Sequence, residues 1–124
     1  TALHQVTFSR AADGRPVARL GPAAGDQPFT PWIDQVMTAA AEALTRDVIG
    51  IVMSGLLNDG AAGLAAIRAA GGVVMIEPPA SAAFASMPSA ALARLGGWGA
   101  CTYEEMARVI NQRPWVSPVT EQED

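Results

Sequence analysis

Asp59 closes the stretch Ser54-Gly55-Leu56-Leu57-Asn58-Asp59-Gly60, directly after an unbroken apolar run, Val48-Ile49-Gly50-Ile51-Val52-Met53. A carboxylate in that place has two uses. At a helix start it accepts hydrogen bonds from free backbone N–H groups and meets the positive end of the helix dipole. In a Ser-His-Asp triad it holds an imidazole in the right tautomer and stabilises the imidazolium, which requires a histidine within hydrogen-bond reach. The one histidine, His4, lies on the first extended run, and no spacing argument brings it beside Asp59. Ser54, Ser81, Ser86 and Ser89 are candidate nucleophiles by type. None sits in the Gly-x-Ser-x-Gly elbow that exposes a hydroxyl at a sharp strand-to-helix turn. The residues alone therefore leave Asp59 open between cap and triad acid.

Other chemistries find less support. The helix beginning at Gly60 presents N–H groups to an anion, but Asp59 repels one, and both the phosphate-loop pattern and the Gly-x-Gly-x-x-Gly fingerprint are missing. Cys101 stands beside Thr102 with no neighbouring cation to activate it, so a structural thiol is expected. One Cys and one His provide neither an internal disulfide nor a recognisable zinc pattern, and a reducing cytoplasm is the expected location. No cofactor is implied. A net charge of -4 with eight Lys and Arg residues argues against nucleic acid and anionic membrane surfaces. Trp32, Trp98 and Trp115 do not interleave with basic residues. No run approaches the roughly 18 apolar residues of a bilayer span.

The elements that must position these residues are legible from pattern. The 124 residues are 50% hydrophobic with few aromatics, which predicts one compact unit whose core is Ala, Val, Ile, Leu and Met. Leu3, Val6, Phe8, Val17 and Leu20 lie on two extended runs, residues 3–10 and 15–20, around Asp13-Gly14, predicting a hairpin. Thr30 is placed to cap a helix over residues 31–45, with Pro31 and Asp34 in its first turn and Ile33, Val36, Met37, Ala40 and Leu44 on one face. The run 48–53 reads as a strand buried on both faces. An Ala-rich helix over 60–70, stopped by Gly71-Gly72, leads to a second strand at 73–76. This β-α-β unit predicts adjacent parallel strands joined by a right-handed crossover. Ligands gather at the carboxyl ends of such strands, which here carry the Asp59 loop and Glu77-Pro78-Pro79-Ala80-Ser81. Met87-Pro88 opens a short helix to about Leu95, residues 98–102 are placed for a last short strand, and a helix follows at 103–112. Residues 1–113 form the domain and 114–124 a frayed tail. The chain opens at Thr1 on an alternating apolar pattern, as expected of a segment of a larger protein.

Two of these segments resemble a known family. Ile51-Val52-Met53-Ser54-Gly55-Leu56-Leu57-Asn58-Asp59-Gly60-Ala61-Ala62-Gly63-Leu64 is similar to the L-T-G-M-G-x-D-G-A-x-G segment of CheB-type protein-glutamate methylesterases. Pro79-Ala80-Ser81-Ala82-Ala83-Phe84-Ala85-Ser86-Met87-Pro88-Ser89-Ala90-Ala91 resembles their D-P-x-S-x-x-x-x-x-M-P-x-A-A segment. Pro31-Trp32-Ile33-Asp34 resembles the family's P-S-V-D, and His4 the His at its hairpin start, so the likeness runs from about Leu3 to Ile110.

The resemblance implies an α/β architecture: a three-layer, parallel-sheet, Rossmann-like methylesterase fold, present in part, with an N-terminal β-hairpin. It implies hydrolysis of glutamate methyl esters on chemoreceptors during chemotaxis, and in some members deamidation of glutamine, through a seryl acyl-enzyme. Asp59 matches the triad aspartate and Leu56 a Met lining the active site; Ser54, Gly55, Leu56, Asn58, Ser81 and Met87 are expected to line the pocket. The family's serine loop and histidine segment have no counterpart in this chain, which alone is expected to be inactive. The implied partners are the methylated receptor and a receiver domain or the remainder of the catalytic domain. Leu56-Leu57 stands where the family has Met-Gly, and Pro79 adds a second proline to the loop. These departures support an alternative, a non-catalytic methylesterase-like interaction domain. A third reading is a small ligand-binding α/β module unrelated to chemotaxis.

Overall fold

The computed structural model describes residues 4–22, 32–56, 58–112 and 119–122. Strands β1 (His4–Arg10) and β2 (Pro16–Pro22) pair antiparallel as the hairpin expected from sequence. Its turn is closed by Gly14 N–H donating to the Ala11 carbonyl, with Gly14 at φ +89°, a conformation that excludes most side chains. Arg10 ties the hairpin to the rest, donating to Asp47 at 2.6 Å and to the Leu44 carbonyl at 3.2 Å.

Helix α1 (Trp32–Leu44) falls inside the expected span, with Ala40, Ala41 and Leu44 buried. The expected cap Thr30 and Pro31 lie outside the described residues. Strand β3 (Ile49–Val52), helix α2 (Ala61–Ala69) and strand β4 (Val73–Ile76) form the β-α-β unit, with β3 and β4 adjacent and parallel. Gly71, at φ +94°, donates to the Arg68 carbonyl, and Gly72 to that of Ile67, which ends α2 where the sequence placed its stop. Helix α3 (Ser86–Arg94) carries Pro88 in its first turn, where a missing N–H costs nothing. Helix α4 (Tyr103–Gln112) begins with a capping box: Thr102 N–H donates to Glu105 Oε1 at 2.8 Å, and Glu105 N–H to Thr102 Oγ1 at 3.2 Å.

The core joins Val52, Val74 and Ile76 of the sheet to Leu64 and Ile67 of α2, Ala41 of α1, Ala91 of α3 and Leu95. Burial on both faces, expected for β3, holds on one face only. Gly50 and Val52 are buried, while Ile49 and Ile51, which alternate with them, are half-buried. The fully covered face is the one on which α2 and α3 pack. Helix α4 reaches the end of β4 through the Tyr103 hydroxyl, which donates to the buried Glu77 carboxylate. The short strand expected at 98–102 is reduced to a single parallel bridge between Ile76 and Ala100. Residues 119–122, in the span expected to fray, form strand β5 (Val119–Gln122) parallel to β2. Among the described residues no helix is long and apolar enough to cross a membrane.

Candidate active site

The carboxyl ends of β3 and β4 bring two loops together. Phe84 N–H donates to Ser54 Oγ at 2.8 Å, Gly55 N–H to the Phe84 carbonyl at 2.9 Å, and Met87 N–H to the Gly55 carbonyl at 3.1 Å. Glycine at 55 lets the Met87 side chain lie against this loop: a Cβ there would lie 2.0 Å from Met87 Sδ. Met87 also reaches toward Gly60, where a Cβ would lie 3.9 Å from its methyl carbon. Ser54, Gly55 and Met87 are thus gathered against the loop that carries Asp59. Leu56 is 67% exposed, and Asn58 is exposed beside Asp59. Leu57 lies outside the described residues, as does the His4 side chain. Ser81 is exposed on a 3-10 turn, Pro79–Ser81, its N–H donating to the Pro78 carbonyl. Among the described residues it makes no hydrogen bond to the Asp59 loop.

Asp59 itself is half-buried, and its carboxylate does not cap its own helix. Oδ2 accepts from Ile33 N–H at 3.0 Å and Oδ1 from Asp34 N–H at 2.9 Å, the first free donors of α1. The start of α2 is served in return by Asp34, whose Oδ1 accepts from Gly60 N–H at 2.9 Å and Gly63 N–H at 2.7 Å. Gly60, the N-cap residue of α2, offers no side-chain bond of its own. Two helix N-termini therefore abut, and each is capped by the carboxylate carried at the other. Their converging positive dipole ends compensate two carboxylates that would otherwise repel. Each Asp59 oxygen takes one N–H, which leaves each a further acceptor direction.

Sequence reasoning read Asp34 only as a first-turn acid of its own helix. The signal for more was its place in Pro31-Trp32-Ile33-Asp34, the segment that resembles the family's helix start. Trp32, Met53, Leu56 and Phe84, carried on the segments that lead into and out of these loops, are exposed. Cys101 is a free thiol whose surroundings lower its reactivity. Burial, and after it the neighbouring Glu105 charge, push its pKa up, which disfavours the nucleophilic thiolate.

Comparison with known proteins points one way. The family model described as CheB methylesterase matches residues 4–110. A protein-glutamate methylesterase/protein-glutamine glutaminase of Geobacter sulfurreducens is 32% identical over 111 residues, 89% of this chain and 29% of that protein. One from Myxococcus xanthus is 42% identical over 80 residues, 64% of this chain and 22% of its own length. The chain thus spans less than a third of the curated relatives it matches. The crystal structure of the Thermotoga maritima CheB methylesterase catalytic domain superposes with a TM-score of 0.69 at 19% identity, covering 87% of this chain and 57% of that one. With the family model matched along nearly the whole described region, the chain belongs to the CheB methylesterase family.

Proposed function

We propose that this chain supplies the acid of a Ser-His-Asp triad in a protein-glutamate methylesterase whose serine and histidine come from residues outside it. The serine hydroxyl attacks the γ-ester carbonyl of a glutamate side chain as the histidine takes its proton. Methanol leaves with that proton, and water then releases the glutamate from the acyl-enzyme. Asp59 orients the histidine and stabilises its cationic form. Glutamine deamidation runs through the same acyl-enzyme with ammonia leaving. The substrate is a methylated chemoreceptor, and the exposure of Trp32, Met53, Leu56 and Phe84 suits a protein substrate better than a small polar one. The remainder of the catalytic domain, or a receiver domain joined to it, is the other partner, and the reaction is cytoplasmic.

The observation that carries this reading is the Asp59 carboxylate at the carboxyl end of β3, fixed by N–H groups of a neighbouring helix rather than spent on its own. The test is a chimera: residues 4–110 replace the matching segment of the Geobacter sulfurreducens relative, and methanol release from methylated receptor is measured. An active chimera that loses roughly 10⁴-fold of its turnover on Asp59→Ala, while staying folded, supports the assignment. Undiminished turnover in Asp59→Ala overturns it. A folded but inactive chimera supports instead the non-catalytic interaction domain, the reading favoured by Leu56-Leu57 in place of Met-Gly and by the exposure of Leu56. The isolated chain should show no esterase activity. Turnover that Ser81→Ala abolishes would reveal a different site.

A further inference from the structure

We infer that Asp34 is a positioning residue for Asp59. Its backbone N–H holds Asp59 Oδ1, while its side-chain Oδ1 holds the N–H of Gly60, the residue next to Asp59 in the chain. These two bonds close a ring. One end helps fix the carboxylate, together with Ile33 N–H, and the other fixes the peptide that follows it, so Asp34 restrains both the side-chain torsions and the backbone direction of Asp59. Nothing else among the described residues supplies the second restraint, since the N-cap of α2 makes no side-chain bond.

The surrounding packing is built to let Asp34 do this. Gly60 sits at φ +105°, and a Cβ there would lie 3.1 Å from Val52 Cγ2 and 3.3 Å from Ile33 Cγ2. A Cβ on Gly63 would lie 2.6 Å from Met37 Cβ and 3.2 Å from Asp34 Cα. The two glycines allow α1 and α2 to approach closely enough for one carboxylate oxygen to reach both N–H groups of α2. Asp34 touches no reacting atom in this arrangement. It acts through Asp59.

The test has two arms. In the 124-residue chain, amide hydrogen exchange is followed by NMR at Ile33, whose N–H is bonded to Asp59 Oδ2 and not to the Asp34 side chain. The Cys101 amide, bonded to the Ile76 carbonyl, serves as a distant control. Asp34→Ala should speed Ile33 exchange by roughly fivefold, the worth of a lost cap, with Cys101 unchanged. Asp34→Asn should restore it, because its amide oxygen can still accept from both N–H groups. An unchanged Ile33, an equal acceleration at Cys101, or no rescue by Asn overturns the inference. If Asp34→Ala does not fold, Asp34→Leu, which also lacks a side-chain acceptor, is read in the same way.

The second arm rests on the proposed triad: in an active chimera Asp34→Ala should lower kcat by about a hundredfold with KM unchanged, and Asp34→Asn should not. A raised KM with unchanged kcat would place Asp34 in substrate binding and overturn the positioning role. If the unaltered chimera is itself inactive, the triad reading fails, and the exchange arm still decides whether Asp34 orients Asp59.

Discussion

Asp59→Asn and Asp34→Asn should have unequal consequences, although both aspartates serve helix N-termini and Asn ranks beside Asp as a cap. Asp34 uses one oxygen for both of its N–H donors, at 2.9 and 2.7 Å. Asn can present its carbonyl oxygen there, and the loss reduces to the charge–dipole attraction, about 0.3–1 kcal/mol. Asp59 uses both oxygens, at 3.0 and 2.9 Å from two different N–H groups. Asn offers one acceptor and turns an amino group toward the other N–H, so a charge-assisted bond becomes a donor facing a donor. The loss of a hydrogen bond to a charged group is worth about 1.5–3 kcal/mol. Because the site is only partly buried, water recovers some of that, and about 2 kcal/mol is expected with the dipole included. The assay is urea unfolding of the chain followed by far-UV circular dichroism. With an ordinary slope, the midpoint should fall by about 1–2 M for Asp59→Asn and by at most about half as much for Asp34→Asn. Equal shifts, or the larger shift for Asp34→Asn, would refute the oxygen-by-oxygen accounting and with it the reciprocal caps.

Three further outcomes are expected. Gly63→Ala should destabilise the chain by about 1–3 kcal/mol despite the helix propensity it gains, because the new methyl meets Met37 Cβ at 2.6 Å and forces α1 from α2; a rise in the urea midpoint would show that the interface yields. Tyr103→Phe should lower the thermal midpoint, since it removes the donor to Glu77, a 4% exposed carboxylate whose other oxygen, Oε1, has no partner among the described residues; an unchanged midpoint would show that water fills the gap. Glu105 has its pKa held down, first by the backbone N–H of Thr102 and then by the Thr102 side chain. Its stabilising effect is therefore present above the ordinary glutamate pKa and is lost as pH falls through the lower folded value, so α4 should fray at acid pH below the ordinary glutamate range. Glu105→Gln should remove that dependence, and an α4 amide-exchange profile equally acid-sensitive in both proteins would count against the capping box.

Much of the fold was legible because local patterns decide it. The β-branched run 48–53, the Gly71-Gly72 stop and the Met87-Pro88 helix start each encode an element whose hydrogen bonds are made within or beside it. Period and propensity therefore sufficed for β3, α2, β4, α3 and α4. The motif around Asp59 likewise carries the family resemblance. What the sequence could not carry was the pairing of charges with helix ends. From pattern, Asp59 belongs to the helix that follows it and Asp34 to the helix that contains it, since a cap is ordinarily a local contact. The observed bonds cross between helices 25 to 29 residues apart in sequence. They exist because Gly60 and Gly63 let two helix N-termini meet, and that close approach is a property of packing, not of either segment. The half-buried face of β3 and the strand at 119–122 are of the same kind, set by which neighbours tertiary contact brings to an edge or a face.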